Sequence, residues 1–261
     1  MNRRAYAPAT PALWHLISLR PAGQHDALRR AAARFGARTL AVSPWRLLAH
    51  DDEATCAALQ QALAGDLLLF TSPAAARAAC KLVSPEQLNA ARLVAVGEGT
   101  ARVLRRHGAA NVQAPARMDS EGLLALPALA ELHGKQVALI TAPGGRGVIA
   151  AQVQARGAQL QRVDVYQRIP LPLPAATLTG LHALPGPAVL AVSSGEALEH
   201  VLPQLPAPLR ERWQRQAVVV ASERLGALAH AHGFTNVHCA AGPMPAQLAA
   251  AAHAAVQLSR R

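Results

Sequence analysis

The sequence predicts a doubly wound α/β protein made of two similar parallel-sheet domains, and three observations predict it. The first is a duplication in constant order. Leu13–Leu48 is echoed by Lys135–Pro170, with Pro21 matching Pro143, Gly36 matching Gly157 and Trp45 matching Tyr166. Leu67–Ala79 is echoed by Val189–Val201, and Val94–Val112 by Val219–Val237, this last pair closing on the hexapeptides HGAANV and HGFTNV. A repeated unit of this length, far above solenoid periods, means two related domains or two interleaved halves. The second observation is a series of short continuous apolar runs, each bounded by Gly, Pro or Ser and followed by a helical period, as a parallel sheet covered on both faces requires. The third is the proline cluster Pro170, Pro172 and Pro174 after the second strand-helix-strand copy, which marks a domain boundary.

In order along the chain, strands are predicted at Trp14–Leu19, Thr39–Val42, Leu67–Thr71, Leu93–Val96, Asn111–Ala114, Gln136–Thr141, Gln161–Tyr166, Ala188–Val192, Ala217–Ala221 and Val237–Ala240. Two further proline loops fall at Pro185–Pro187 and Pro203–Pro208, and Met1 to about Ala12 reads as a disordered lead-in. Five strands run into small or hydroxylated residues just before a helix: Thr71-Ser72-Pro73, Gly97-Glu98-Gly99-Thr100, Thr141-Ala142-Pro143-Gly144-Gly145, Ser193-Ser194-Gly195 and Ala221-Ser222-Glu223. Asp119-Ser120-Glu121-Gly122 is a sixth such cap, opening a helix that contains Leu123–Leu129. Helix N-termini carry unpaired backbone N–H donors and bind anions readily. One cap alone is most simply a cap; five in two matching sets point to a shared polyanion site.

Composition bounds the function. The 261 residues, 51% hydrophobic, suffice for one large or two ordinary domains. Apolar stretches are cut by Pro, His, Gln or charges well short of the roughly 20 residues of a membrane span. A cytoplasmic protein without membrane attachment is expected. Three cysteines, Cys56, Cys80 and Cys239, at unrelated spacings argue against a disulfide framework and are expected to be buried. The formal charge of +11 is spread over single arginines on helical segments, Arg29, Arg30, Arg34, Arg77, Arg102, Arg105 and Arg106, without interleaved aromatics. Such a distribution reads as solvated helix faces and disfavours nucleic acid, while a small acidic ligand in a cleft fits it.

Familiar catalytic motifs are absent. Gly97-Glu98-Gly99-Thr100 lacks the third glycine of a dinucleotide fingerprint, Ala142–Gly147 lacks the Gly-Lys-Ser/Thr of a P-loop, and Ser194-Gly195 lacks the first glycine of a nucleophile elbow. His230 and His232 point to different helix faces, and His238 and Cys239 to opposite strand faces. Neither a metal nor a cofactor is expected.

Taken in order, Arg20-Pro21, Phe70-Thr71-Ser72-Pro73, Val96-Gly97-Glu98-Gly99-Thr100-Ala101, Ser120-Glu121-Gly122-Leu123-Leu124, Gly144-Gly145-Arg146, Val165-Tyr166-Gln167-Arg168, Ser193-Ser194-Gly195 and Gly233-Phe234 with Pro243 resemble the uroporphyrinogen-III synthase family over Leu16–Ala249. The resemblance implies two flavodoxin-like lobes, residues 12–44 with 170–261 and residues 45–169, joined by two crossing strands near Pro44 and Ile169, with a cleft between them. It implies a monomer that takes linear hydroxymethylbilane, a tetrapyrrole with eight carboxylates, loses its terminal hydroxyl as water and closes the ring with ring D inverted to give uroporphyrinogen III. Tyr166 would be the acid that assists the departing hydroxyl. Arg20, Thr71, Ser72, Thr100, Ser120, Gly144, Gly145, Arg146, Ser193, Ser194, Gly195, Ser222 and Arg224 would bind the substrate. Two positions depart from the family pattern: Leu225 stands where a threonine is usual, and Leu19 stands where a threonine often precedes Arg-Pro. A noncatalytic bilobed α/β module that binds a small polyanion is the alternative, and in it Tyr166 merely packs at a strand end.

Overall fold

The computed structural model describes residues 14–116, 120–144 and 147–259. Twelve strands are described: β1 Trp14–Ser18, β2 Ala37–Ala41, β3 Trp45–Ala49, β4 Leu67–Phe70, β5 Leu93–Ala95, β6 Val112–Gln113, β7 Gln136–Thr141, β8 Gln159–Asp164, β9 Tyr166–Pro170, β10 Ala188–Val192, β11 Ala217–Val220 and β12 Val237–Cys239. The chain divides into two compact units, one from the described residues of Met1–Arg46 and Pro170–Arg261, the other Leu47–Ile169. The lead-in before Trp14 lies outside the described residues.

The first unit is a five-stranded parallel sheet in the order β12-β11-β10-β1-β2. The second unit has the order β6-β5-β4-β7-β8, again parallel throughout. Because β7-β8 is the second copy of β1-β2, and β4-β5-β6 matches β10-β11-β12, equivalent strands take equivalent places in the two sheets. Only the chain order is permuted: the first unit begins with the β1-β2 pair, and the second unit ends with its counterpart. Parallel five-stranded sheets with helices on both faces and the strand order reversing at the centre are the doubly wound, flavodoxin-like arrangement.

The central strands of both sheets are buried on both faces, which is why they read as unbroken apolar runs. In the second unit Leu68, Phe70, Ala138 and Ile140 face Ala75, Ala79, Ala101 and Leu104. One residue out of phase, Leu67, Leu69, Val137 and Leu139 face Leu123, Leu129 and Val153. In the first unit Trp14, Leu16, Val189 and Val219 pack on Leu28 and Ala32 of helix Asp26–Ala33 and on Leu248, Ala252 and Val256 of helix Pro245–Leu258. Each fully buried leucine contributes roughly 1.5–3 kcal/mol.

Several expectations change. Gln161–Tyr166 is two strands and not one. Val165 donates its N–H to the Thr141 carbonyl at 3.0 Å, at the end of the sheet, while its own carbonyl accepts from His50 N at 2.9 Å. The chain thus changes pairing partner at Val165 without a breaker, and Tyr166 opens β9, which pairs with β3. The helix expected over Leu123–Leu129 stops at Leu124, because Pro127 cannot continue it and instead opens a 3₁₀ turn, Pro127–Leu129; Asp119 lies outside the described residues. The prolines after β9 are not a free linker: Leu171 N donates to Pro44 O at 2.9 Å and Leu173 N to Gln204 Oε1 at 2.8 Å. Cys239 is exposed, not buried, because it sits on edge strand β12; Cys56 and Cys80 are partly covered.

The repeated hexapeptides close equivalent helices in the same way. Gly108 and Gly233 adopt φ of +92° and +83°. Around them Ala109 N reaches Leu104 O and Phe234 N reaches Ala229 O, both at 3.1 Å, while Gly108 N and Gly233 N bond to Arg105 O and His230 O. This is a Schellman-type closure, and glycine is required by the left-handed backbone. Alanine at either glycine should cost about 1–2 kcal/mol from backbone strain. Gly108→Ala should cost more than Gly233→Ala, because its Cβ would lie 2.9 Å from the rigid Pro85 ring, whereas at Gly233 the neighbour is the movable Gln214 amide. Urea midpoints of the two variants measure the difference; equal midpoints would contradict the packing argument.

Candidate functional site

In both units the residues singled out for binding gather at the carboxyl ends of the parallel strands, where an open α/β sheet offers helix N-termini and backbone donors. In the second unit Thr71 and Ser72 follow β4, Thr100 follows β5 and Gly144 follows β7. Ser120 opens the short helix Ser120–Leu124 after β6. Gly145 and Arg146 lie outside the described residues. In the first unit Arg20 follows β1, Ser193, Ser194 and Gly195 follow β10, and Ser222 and Arg224 follow β11. The order of strands places the two central ends, β1 beside β10 and β4 beside β7, where neighbouring connections diverge.

Three of the five repeated caps are formed as expected. Ser72, Ser194 and Ser222 have extended backbones, and each hydroxyl accepts from a backbone N–H of the first helical turn, Ala75 at 3.0 Å, Ala197 at 3.4 Å and Leu225 at 3.5 Å. The other two differ. Gly97 caps its helix without a side chain, and the helix after β7 starts only at Val148, capped by Gly147 in the left-handed region at φ +67°. Thr141 instead accepts from Thr71 Oγ1 at 2.8 Å, tying the ends of β4 and β7 together. Thr100 is buried inside its helix at 2% exposure.

Tyr166 begins β9 directly beyond the sheet end. Its ring is buried at 5% exposure in the core of the second unit, and its Oη lies 3.3 Å from Ser72 Oγ. Ser72 therefore links the N-terminus of helix Pro73–Ala79 to the phenol. Arg77, on the last turn of that helix, also bears on Tyr166. Partial burial lowers its guanidinium below the ordinary value, and a charged Tyr166 would raise it. Arg168, two residues along β9, places Nη1 3.7 Å from where a Cβ on Gly144 would stand. Sequence reasoning read Arg77 as one of many solvated arginines and left Arg168 without a role. Nothing in their spacing distinguishes them; their place depends on β9 leaving the sheet at Val165.

In the first unit Arg20 is largely buried, its Nε has no hydrogen-bond partner, and burial depresses its guanidinium. Nearby is a polar cluster that sequence reasoning missed. His25, 5% exposed, lies with Nδ1 2.9 Å from Ser18 Oγ and Nε2 2.9 Å from Ser43 Oγ. Gly195 allows helices Gly195–Val201 and Glu223–Ala231 to approach, a Cβ there meeting Leu228 Cδ2 at 2.7 Å and lying 3.9 Å from Arg224 Nη1. Ser193, Ser222 and Arg224 are exposed. Among the described residues no three His, Cys, Asp or Glu side chains are grouped to hold a metal, and no helix is long and apolar enough to cross a membrane.

A family model described as Uroporphyrinogen-III synthase HemD matches residues 26–250. The chain belongs to the uroporphyrinogen-III synthase family. It is 33% identical to the uroporphyrinogen-III synthase of Salmonella typhimurium over 153 residues, 58% of this chain and 62% of that protein. It is 31% identical to the Escherichia coli enzyme of the same name over 148 residues, 56% of this chain and 60% of that one. The chain thus spans about three fifths of the length of the curated relatives it matches. Its fold is that of solved uroporphyrinogen III synthases, with a TM-score of 0.62 to a mutant form from Thermus thermophilus at 18% identity, covering 94% of this chain and 99% of the other. For the Helicobacter pylori structure the values are 0.59 and 17%, with 95% and 99% covered.

The family assignment puts the departure at Leu225 in structural terms. Thr100 and Leu225 occupy the third position of equivalent helices, both buried, and the Leu225 side chain packs 3.6 Å from a Cβ built on Gly195. An apolar residue there tightens the helix pair.

Two consequences are measurable. Ser72→Ala removes both a cap and the Tyr166 partner and should destabilise the protein by about 1 kcal/mol, read from its urea midpoint. Burial lowers His15 and His25 below their ordinary value near 6.5. Unfolding therefore takes up protons below that value, so this share of stability is complete above about pH 6.5 and is lost as pH falls toward the folded values. Urea midpoints should decline from pH 7 to 5; a flat profile would contradict the burial of both rings.

Proposed function

We propose that this protein cyclises hydroxymethylbilane to uroporphyrinogen III, with loss of water and inversion of ring D, in tetrapyrrole and haem biosynthesis. The observation that carries the proposal is the family match over residues 26–250. The gathering of caps and basic groups at the strand ends supports it, since a substrate with eight carboxylates needs many donors and few nucleophiles.

In this account departure of the terminal hydroxyl leaves an electrophilic azafulvene. The substituted carbon of the last pyrrole attacks it, and the resulting spiro intermediate fragments and recloses with that ring inverted. Tyr166 donates the proton that lets hydroxide leave as water, and Ser72 Oγ orients the phenol. Most of the catalysis is geometric: the chain must be bent and the simpler closure to the symmetric isomer blocked. Arg20, Ser193, Ser194, Gly195, Ser222 and Arg224 in the first unit, and Thr71, Ser72, Thr100, Ser120, Gly144, Gly145 and Arg146 in the second, are each proposed to bind carboxylates of the substrate. The proposed enzyme is a cytoplasmic monomer without metal or cofactor.

Incubation with fresh hydroxymethylbilane, oxidation and separation of the porphyrin isomers tests this directly. Isomer III in excess of the spontaneous product is expected; isomer I alone would leave a noncatalytic polyanion-binding module. Tyr166→Phe should lower turnover by about tenfold to a thousandfold with little change in the urea midpoint, and unchanged turnover would reduce Tyr166 to packing. Added salt should raise the apparent KM more than it lowers kcat, because long-range attraction is screened and the bent geometry is not.

A further inference from the structure

We infer that His25 is a positioning residue for Arg20: bridging Ser18 and Ser43, it fixes the turn after β1 so that the Arg20 guanidinium is presented to a substrate carboxylate. The inference rests on the enzyme assignment above and adds a residue to it.

Four observations carry it. His25 is the residue before helix Asp26–Ala33, yet its side chain makes no cap bond to that helix. It is spent instead on the hydroxyls of Ser18, at the end of β1, and Ser43, just beyond β2, at 2.9 Å each. One ring nitrogen donates to a hydroxyl and the other accepts from one, so the neutral imidazole satisfies both bonds. The loop carrying Arg20 is thereby closed at both ends, with Ala22 N also held by Trp45 O at 2.9 Å. Second, Arg20 is mostly buried with an unpartnered Nε, and no acidic side chain among the described residues pairs with it. An uncompensated buried cation is costly, and a bound carboxylate removes that cost. Third, the fold does not need the cluster. Ser18 and Ile140 are the fifth residues of the equivalent strands β1 and β7, both fully buried, and the second unit fills the place with a hydrocarbon side chain.

Fourth, the electrostatics tie His25 to Arg20. The charged groups that bear on the imidazole are Arg29 and Arg20, which disfavour its protonation after burial itself, and Asp26, which favours it and is paired with Arg29. A carboxylate on Arg20 neutralises one of the opposing cations, so binding should raise the His25 pKa and take up a proton. Affinity then increases as pH falls through the range between the free and bound values.

The test uses the full chain, with uroporphyrin III as binding probe and hydroxymethylbilane as substrate. His25→Leu removes both bonds and should raise KM about tenfold while kcat changes less than threefold. His25→Gln keeps a donor and an acceptor and should return KM to within about threefold of wild type, but it cannot titrate. Wild type should gain severalfold in uroporphyrin III affinity between pH 8 and 5, approaching about tenfold for a one-unit pKa rise once the pH is below the free His25 value, relative to the Gln variant. Wild-type KM in a folded Leu variant, or the same pH dependence in wild type and the Gln variant, overturns the inference. Should the Leu variant not fold, the wild-type His25 ring titrated by NMR decides: its midpoint should rise with saturating uroporphyrin III, and an unmoved midpoint overturns the inference. If wild type makes no isomer III, the enzyme assignment fails instead, which isomer analysis of wild type alone reveals.

Discussion

The placement of binding groups in this protein is confined by one constraint: two parallel sheets whose central strands are covered on both faces. A strand such as Leu67–Phe70, buried at all four residues, cannot carry chemistry along its length. Binding and catalytic groups can enter only where strands end. There the same residues that stop the strand, Thr71-Ser72 after β4 and Ser193-Ser194 after β10, also start the helix. Capping uses only the oxygen of such a hydroxyl, which accepts from the helix, so its proton can still donate elsewhere, as the proposed binding role requires. Serine suits these positions as a cap, since alanine would leave an orphan N–H.

The duplication sets what both units share, and its breaks mark where they have specialised. The glycines that close helices are kept in both, because the left-handed turn is needed twice. Tyr166 and Trp45 open the paired strands β9 and β3 at equivalent places, but only the tyrosine brings a hydroxyl, and Ser72 stands within reach of it. Thr100 and Leu225 part in the same way, as do Ile140 and Ser18. Each unit carries one set of polar features that the other fills with hydrocarbon. Two copies of one scaffold have thus become unlike halves.

Much of this was legible in the sequence. Sheet strands announce themselves where burial on two faces demands a continuous apolar run, and the duplicated order fixes which strands are equivalent. Ser72, Ser194 and Ser222 were readable as caps because their function depends only on neighbours three residues away. What could not be read depends on distant pairing. β3 and β9 carry mixed side chains, and the stretch Leu160 to Tyr166 carries no Gly or Pro at the point where the chain changes partner. Val165 shows no break because the break is made by His50 and Thr141, far away in sequence. The Ser18–His25–Ser43 cluster escaped for the same reason: a lone histidine before a helix looks like any surface residue until β1 and β2 are brought side by side.

The charge of the protein gains a sharper meaning from Arg20 than from its total. Exposed or paired arginines, such as Arg105 with Glu98 at 3.0 Å, contribute a diffuse field that salt screens. Arg20 differs because it is partly withdrawn from water, with its Nε buried, so its field is screened less than that of an exposed arginine and its direction is set by the turn that holds it. A diffuse positive surface concentrates any polyanion, whereas one oriented, desolvated cation selects the carboxylate that fits it. For the reaction proposed above, discrimination between two ring closures cannot come from attraction that treats every carboxylate of the substrate alike. It has to come from a few contacts whose geometry is fixed before the substrate arrives.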